Sequence, residues 1–94
     1  MNNSEARVPT TSAQRYMGQM CSHFGHKRPV TVDGDTGRIA FDGGDCVMRS
    51  EAETLVLRIE AVDDESRQRL EGVAARHLER FMFREPPSIE WRPA

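Results

Sequence analysis

The sequence predicts a two-layer α+β fold, because two segments have helical periodicity and the segment between them alternates like strands. In each helical segment, apolar residues recur every three or four positions, which is the spacing of an amphipathic helix. Between them, apolar and polar residues alternate among turn formers, as in a half-buried antiparallel sheet. The predicted order is α-β-β-β-β-α-β, with the two helices packed on one face of a mainly antiparallel sheet.

The composition indicates one small domain. The chain has 94 residues, of which 37% are hydrophobic and 30% charged, a balance typical of a folded domain with one modest core. Residues 1–10 are mostly polar and have little to bury, so they are predicted to form a flexible N-terminal tail. Residues 11–94 are predicted to form a single α+β domain.

The first helix is predicted to begin at Thr11, where Gln14 three residues later completes a capping-box pattern. Gly25 is predicted to end the helix as a left-handed C-cap, and Pro29 prevents its continuation. The apolar stripe of this helix consists of Ala13, Tyr16, Met17, Met20, Cys21 and Phe24. Such a stripe buries one face of the helix against the sheet.

Four short strands are predicted between the helices, separated by turns rich in glycine and aspartate. Residues 42–45, Asp-Gly-Gly-Asp, give the strongest turn signal, because glycine tolerates the positive φ that hairpin turns require. The residues predicted to share the buried faces of the strands are Ile39, Phe41, Cys46, Met48, Leu55, Leu57 and Ile59. Neighbouring strands with short turns predict an antiparallel meander.

The second helix is predicted to be capped by Asp63 or Asp64. Its apolar stripe consists of Leu70, Val73, Ala74, His77, Leu78 and Phe81. The Pro86-Pro87 pair ends this region, and Ser88–Trp91 is predicted to be a fifth strand.

Basic and imidazole side chains are concentrated where the two helices end, and they predict a site for an anionic ligand. Arginine matches carboxylate and phosphate with two parallel hydrogen bonds, and histidine can add further ones. The candidate ligand-binding residues are His23, His26, Lys27, His77, Arg80 and Arg84. The simplest alternative is a solvated surface with ordinary, weak ion pairs.

A transition-metal site at Cys21, Cys46 and His77 is a competing hypothesis, since thiolate and imidazole are common metal ligands. A transition metal is the one cofactor that these residues would support. The spacing of the cysteines and histidines matches no established zinc pattern, and buried cysteines are more often ordinary core residues. No catalytic residue is assigned, because the sequence lacks a phosphate-binding loop, a nucleophile elbow and an HExxH motif.

The charge and hydropathy patterns argue against two classes of partner. A formal net charge of -2 gives no reason to expect nucleic acid, whose binders usually carry a basic excess. No apolar run approaches the roughly 20 residues that a membrane-spanning helix needs. The first nine residues also lack the apolar segment of a signal peptide. The protein is therefore predicted to be cytoplasmic, with both cysteines reduced.

A family resemblance is carried by Arg15-Tyr16, residues 23–27 (HFGHK), Gly44-Asp45-Cys46, residues 77–85 (HLERFMFRE) and Trp91. In these segments the chain resembles the bacterial domain-of-unknown-function family 2218 (DUF2218). Some members of this family are associated with siderophore-interacting flavoproteins, so the resemblance implies a link to iron uptake. It supplies no catalytic or binding residue.

Taken with the basic clusters, the resemblance favours a small binding or accessory module. Its partner would be a small anionic ligand or a protein of a siderophore pathway. A metal-binding protein or metalloenzyme, and a protein–protein adaptor that uses the open sheet face or the last strand, are the alternatives.

Overall fold

A computed structural model, which describes residues 2–94, contains six strands and two helices. In chain order they are β1 (Asn2–Pro9), α1 (Ala13–Phe24), β2 (Val30–Asp33), β3 (Thr36–Phe41), β4 (Gly44–Ser50), β5 (Thr54–Ala61), α2 (Asp64–Phe81) and β6 (Arg92–Pro93). All strand pairs are antiparallel, and the spatial order is β2-β3-β4-β5-β1-β6. The α+β class and the β-β-β-β meander between the helices are confirmed.

The N-terminal segment differs most from its prediction. Residues 2–9 form β1, which pairs with β5 along its whole length, from Asn2 opposite Ala61 to Pro9 opposite Thr54. The backbone N–H of Thr10 then donates to the carbonyl of Glu53 at 3.0 Å. The flexible tail predicted for residues 1–10 is therefore wrong for residues 2–10, and Met1 lies outside the described residues. The domain already begins at β1.

The core lies between the sheet and the two helices. In the sheet, buried positions of adjacent strands fall opposite one another, as Ile39 does with Cys46 and Met48 with Leu57, so that one face packs against the helices. The buried helical residues are Ala13, Tyr16, Met17, Met20 and Cys21 in α1 and Leu70, Ala74 and Leu78 in α2. Both predicted stripes are thus largely confirmed. Within residues 2–94, no helix has the length and apolar character to cross a membrane.

The ends of several elements differ from the predictions. The N-cap of α1 is Ser12, whose side chain makes no capping hydrogen bond, so the predicted capping box is wrong. Gln14 instead accepts a hydrogen bond from the Ser50 hydroxyl at 2.6 Å, which joins the start of α1 to the end of β4. Asp63 caps α2 as predicted, because its carboxylate accepts from the backbone N–H of Ser66 at 2.7 Å. The last strand is β6 rather than residues 88–91.

The sheet face opposite the helices is polar, and its charges largely pair with one another. Arg38 contacts Asp45 at 2.6 Å and Glu60 at 3.2 Å, and Arg58 contacts Glu60 at 3.1 Å. Arg7 contacts a further carboxylate, that of Glu51, at 2.8 Å on the same face. Because these charges are already paired, this face of the sheet has little unpaired charge with which to attract a charged partner.

Gly18 gives a direct test of α1. It occupies an exposed position in mid-helix, and apart from the adjacent residues and the backbone of its own helix, a Cβ placed there would meet no described atom within 4 Å. Glycine is less favourable than alanine in a helix by about 0.5–1 kcal/mol. We expect Gly18→Ala to raise the free energy of unfolding by about that amount in urea titrations.

Gly43→Ala is the matched control, and we expect it to destabilise the protein. Gly43 has a φ of +88°, and its Cβ would lie 2.6 Å from the Ser66 hydroxyl oxygen. Stabilisation by both substitutions would contradict this description of the two backbone positions.

Candidate functional site

The chain continues in a right-handed turn after α1, and this turn carries the basic residues of the site. Gly25 has φ −61° and ψ −18°, so the predicted left-handed C-cap is wrong. The backbone N–H groups of Lys27 and Arg28 both donate to the carbonyl of Phe24, at 3.1 and 2.8 Å. The carbonyl of Pro29 then accepts from Ala40 at 3.0 Å, which fixes the turn against β3. The turn therefore holds Lys27 and Arg28 beside the end of β3.

An aromatic cluster joins the end of α1 to α2. The ring of His77 lies 4.9 Å from that of His23 and 4.7 Å from that of Phe24, measured between centroids. The Nδ1 atom of His77 donates to the carbonyl of Val73 at 2.8 Å, because a carbonyl can only accept. This bond fixes the His77 ring against its own helix. Two histidines that the sequence places far apart are thus neighbours.

A cleft of about 410 Å³ opens beside this cluster, between the turn after α1, the end of β3 and α2. Its apolar walls are formed by Phe24, Phe41 and Val73. The polar groups around it are all basic or imidazole side chains, namely His23, His26, Lys27, Arg28 and Arg69. The volume falls within the range of roughly 300–1,000 Å³ that is typical of small-molecule sites.

The β3–β4 turn brings Arg28 and Arg69 to the same cleft. Arg69 donates from Nη2 to the carbonyl of Asp42 at 2.7 Å, which ties α2 to this turn. Arg28 lies 3.7 Å from the Asp42 carboxylate, and its guanidinium carbon is 5.5 Å from the centroid of the Phe41 ring. Gly43 allows the turn to lie this close to α2, because it has a positive φ and because a Cβ at this position would clash with Ser66.

The cleft has a positive electrostatic character although the chain has a net charge of -2. Within residues 2–94, neither Lys27 nor Arg69 has a carboxylate within 4 Å, and the Asp42 carboxylate near Arg28 is 93% exposed. Desolvation lowers the pKa of His23, and electrostatic repulsion from its neighbours, which include Arg80 and Lys27, lowers it further. These basic groups favour a bound negative charge, because little carboxylate lies close enough to neutralise them.

The structure brings together most of the predicted ligand-binding residues. His23, His26 and Lys27 line the cleft, the His77 ring packs at a tilt against those of His23 and Phe24, and Arg80 is close enough to influence His23. Arg84 is not part of this group. Its guanidinium lies 5.4 Å from the Phe83 ring centroid, and it lines a separate depression together with Arg15 and Tyr16.

The sequence groups Arg84 with Arg80 only if the face of the second helix continues to residue 84, and it does not. α2 ends at Phe81, so Arg84 no longer follows the helical spacing of Arg80. Arg28, Arg69, Phe24, Phe41 and Val73 were not assigned to the site from the sequence. Arg28 adjoins Lys27 in the sequence, which was an available signal. The contact between the β3–β4 turn and Arg69 has no local sequence signal.

The predicted metal site does not fit the structure. Cys21 and Cys46 are buried in the core, and within residues 2–94 no three Cys, His, Asp or Glu side chains form a metal-ligating group. Burial raises the pKa of the Cys46 thiol to about 12 and also raises that of Cys21. A metal-binding thiol must lose its proton, so both cysteines are poorly placed for that chemistry. Cys21, Cys46 and His77 are therefore not brought together as ligands.

Comparison with known proteins identifies the family. The family model described as "Uncharacterized protein conserved in bacteria (DUF2218)" matches residues 5–92. The chain belongs to this family. The matched range includes every residue that lines the cleft and most of β1. The resemblance predicted from the two histidine-containing segments is thereby confirmed.

The DUF2218 chain is also similar to a solved structure, the NMR structure of PA4090 from Pseudomonas aeruginosa. The two sequences are 32% identical, and the alignment covers 100% of this chain and 98% of that chain, with a TM-score of 0.85. The fold is therefore shared over the whole length. No curated protein matches the chain.

Proposed function

We propose that this DUF2218 protein is a small binding module and that its ligand is an anion held in the cleft at the end of α1. The observation that carries the proposal is the combination of an open cleft, apolar walls and a basic surround with little matching carboxylate. An ordinary solvated surface would pair these cations with neighbouring carboxylates, as the open face of the sheet does.

Each basic residue would contribute in a different way. Lys27 would supply a mobile point charge, and Arg69, with one amino group bound to the Asp42 carbonyl, would present its remaining N–H groups. Arg28 would exchange its long contact with the exposed Asp42 carboxylate for a ligand carboxylate or similar group. The exchange costs little, because an exposed ion pair contributes less than about 1 kcal/mol.

Ferric siderophores are the ligand class that we propose to test after simple anions. Their complexes are often negatively charged, and the family resemblance implies a connection with siderophore-interacting flavoproteins. The protein would then act in the cytoplasm as an accessory that binds an anionic iron complex or contacts a protein of that pathway. Both versions require the same basic cleft.

Arg28→Gln tests the proposal with citrate as the probe. We expect citrate to shift the backbone amide NMR signals of residues 23–28 and 69–73, because these segments surround the cleft. The substitution should weaken citrate binding by about three- to tenfold, since it removes one of the charged hydrogen-bond donors.

Arg84→Gln is the matched control, because it removes the same charge from a different depression. We expect it to leave the citrate affinity within about twofold, given the weak effect of distant exposed charges. Equal losses in the two variants would mean that citrate responds only to net charge. Shifts spread evenly over the surface would likewise contradict a defined site.

A further inference from the structure

The walls of the cleft are aromatic to an extent that a site for a bare inorganic anion would not require. The rings of Phe24 and Phe41 meet nearly edge to face, with centroids 5.1 Å apart and an interplanar angle of 80°. Both are only partly buried while packing against the core, so part of each ring remains open to the cleft. Val73 completes this apolar surface from α2.

The same walls lie directly beside cationic groups. The Arg28 guanidinium is positioned over the Phe41 ring, and the imidazole of His23 meets the Phe24 ring edge to face at 5.0 Å. A flat ring bound here would contact the phenylalanine rings and lie near a guanidinium. Both are favourable neighbours for an aromatic face, through edge-to-face packing and cation–π attraction.

We propose that the anion which this cleft binds carries an aromatic ring. The ring would pack against Phe24, Phe41 and Val73, while its acidic group would face the basic side chains around the cleft. This inference rests on the proposed function and adds the chemical class of the ligand to it. A carboxylate, sulfonate or similar group attached to a planar ring has both features that the cleft recognises.

Three sulfonates with the same charged group test this inference on the unmodified protein. They are methanesulfonate, decahydronaphthalenesulfonate and naphthalenesulfonate, and their affinities can be compared by NMR titration. We expect naphthalenesulfonate to bind at least about tenfold more tightly than methanesulfonate, because the apolar walls add contact area. It should also bind about threefold more tightly than decahydronaphthalenesulfonate, which has the same number of ring carbons, because only an aromatic ring gains the ring-specific contacts.

Phe41→Leu and Phe83→Leu form a matched pair of variants. Phe41 lines the cleft, whereas Phe83 is 69% exposed and lines no part of it. Phe41→Leu should reduce the preference for naphthalenesulfonate over methanesulfonate by about threefold, and Phe83→Leu should leave it unchanged. The amide spectra of both variants would establish that they remain folded.

The outcomes separate this inference from the proposal on which it rests. Equal affinities for the three sulfonates, with citrate still bound at the cleft, would overturn the aromatic ligand and leave the anion site intact. Equal binding of decahydronaphthalenesulfonate and naphthalenesulfonate would overturn it in the same way. Failure of citrate and of every sulfonate to shift the cleft signals would contradict both proposals.

Discussion

Val8→Asp is expected to unfold the protein, whereas Arg7→Gln, one residue earlier, is expected to leave it folded. Val8 is fully buried, lies opposite Leu55 and belongs to the hydrophobic core. A carboxylate at this position would be buried among apolar side chains without a partner, which costs several kcal/mol. Domains of this size are stable by only about 5–15 kcal/mol, so much or all of the stability would be lost.

Arg7 is the matched position because its side chain lies on the opposite, solvent-exposed face of β1. Its contact with Glu51, at 2.8 Å, is an exposed ion pair worth less than about 1 kcal/mol. Circular dichroism and urea unfolding would compare the variants. Val8→Ala gives an intermediate measurement, with an expected loss of about 2 kcal/mol from the smaller buried side chain. Near-native stability of both Val8 variants would mean that β1 is not part of the core.

The same strand explains where prediction from the sequence failed. Of the three residues of β1 that face the core, Ala6 is small and Ser4 is polar, so the alternation is faint. The Ser4 hydroxyl is buried and has no hydrogen-bond partner within the described residues, which makes this an uncommon core position. Pairing with β5, more than forty residues away, buries the segment. That long-range pairing has no local sequence signal.

The helical stripes and the meander were predictable because their signals are local. Met17 and Met20 in α1, or Leu70 and Leu78 in α2, recur at helical spacing whatever the rest of the chain does. Three of the eight residues that line the cleft follow from the same reasoning, because His23, His26 and Lys27 lie within one turn of the end of α1. The side of the cleft formed by Phe41 and Arg69 depends on the contact between the β3–β4 turn and α2. That contact is visible only in the three-dimensional structure.

The affinity of the cleft for naphthalenesulfonate is expected to rise about tenfold as the pH falls from about 8 to about 5. Desolvation lowers the pKa of His23 in the free protein, and electrostatic repulsion from its neighbours, which include Arg80 and Lys27, lowers it further. The nearest ion-paired carboxylate at this cleft, that of Asp42, faces Arg28 rather than His23. A bound sulfonate would favour the imidazolium form and raise this pKa, so binding takes up a proton. The sulfonate itself stays ionised throughout.

The free protein should show the opposite dependence, which separates ligand binding from a general effect of pH. The folded-state pKa of His23 is below its ordinary value of about 6.5, so the unfolded chain holds more protons between those two values. Stability therefore falls as the pH drops through about 6.5, and saturating naphthalenesulfonate should reduce that loss. Urea unfolding with and without the ligand would measure both effects.

His23→Gln decides whether this histidine is responsible. The variant should keep most of the affinity at about pH 8, where His23 is already neutral, and lose most of the increase at about pH 5. An NMR titration of the His23 ring would follow the same linkage directly, with an apparent pKa that rises when the ligand is bound. If the variant kept the full increase in affinity at low pH, the proton would be taken up by another group. His23 would then contribute only ring contacts to the cleft.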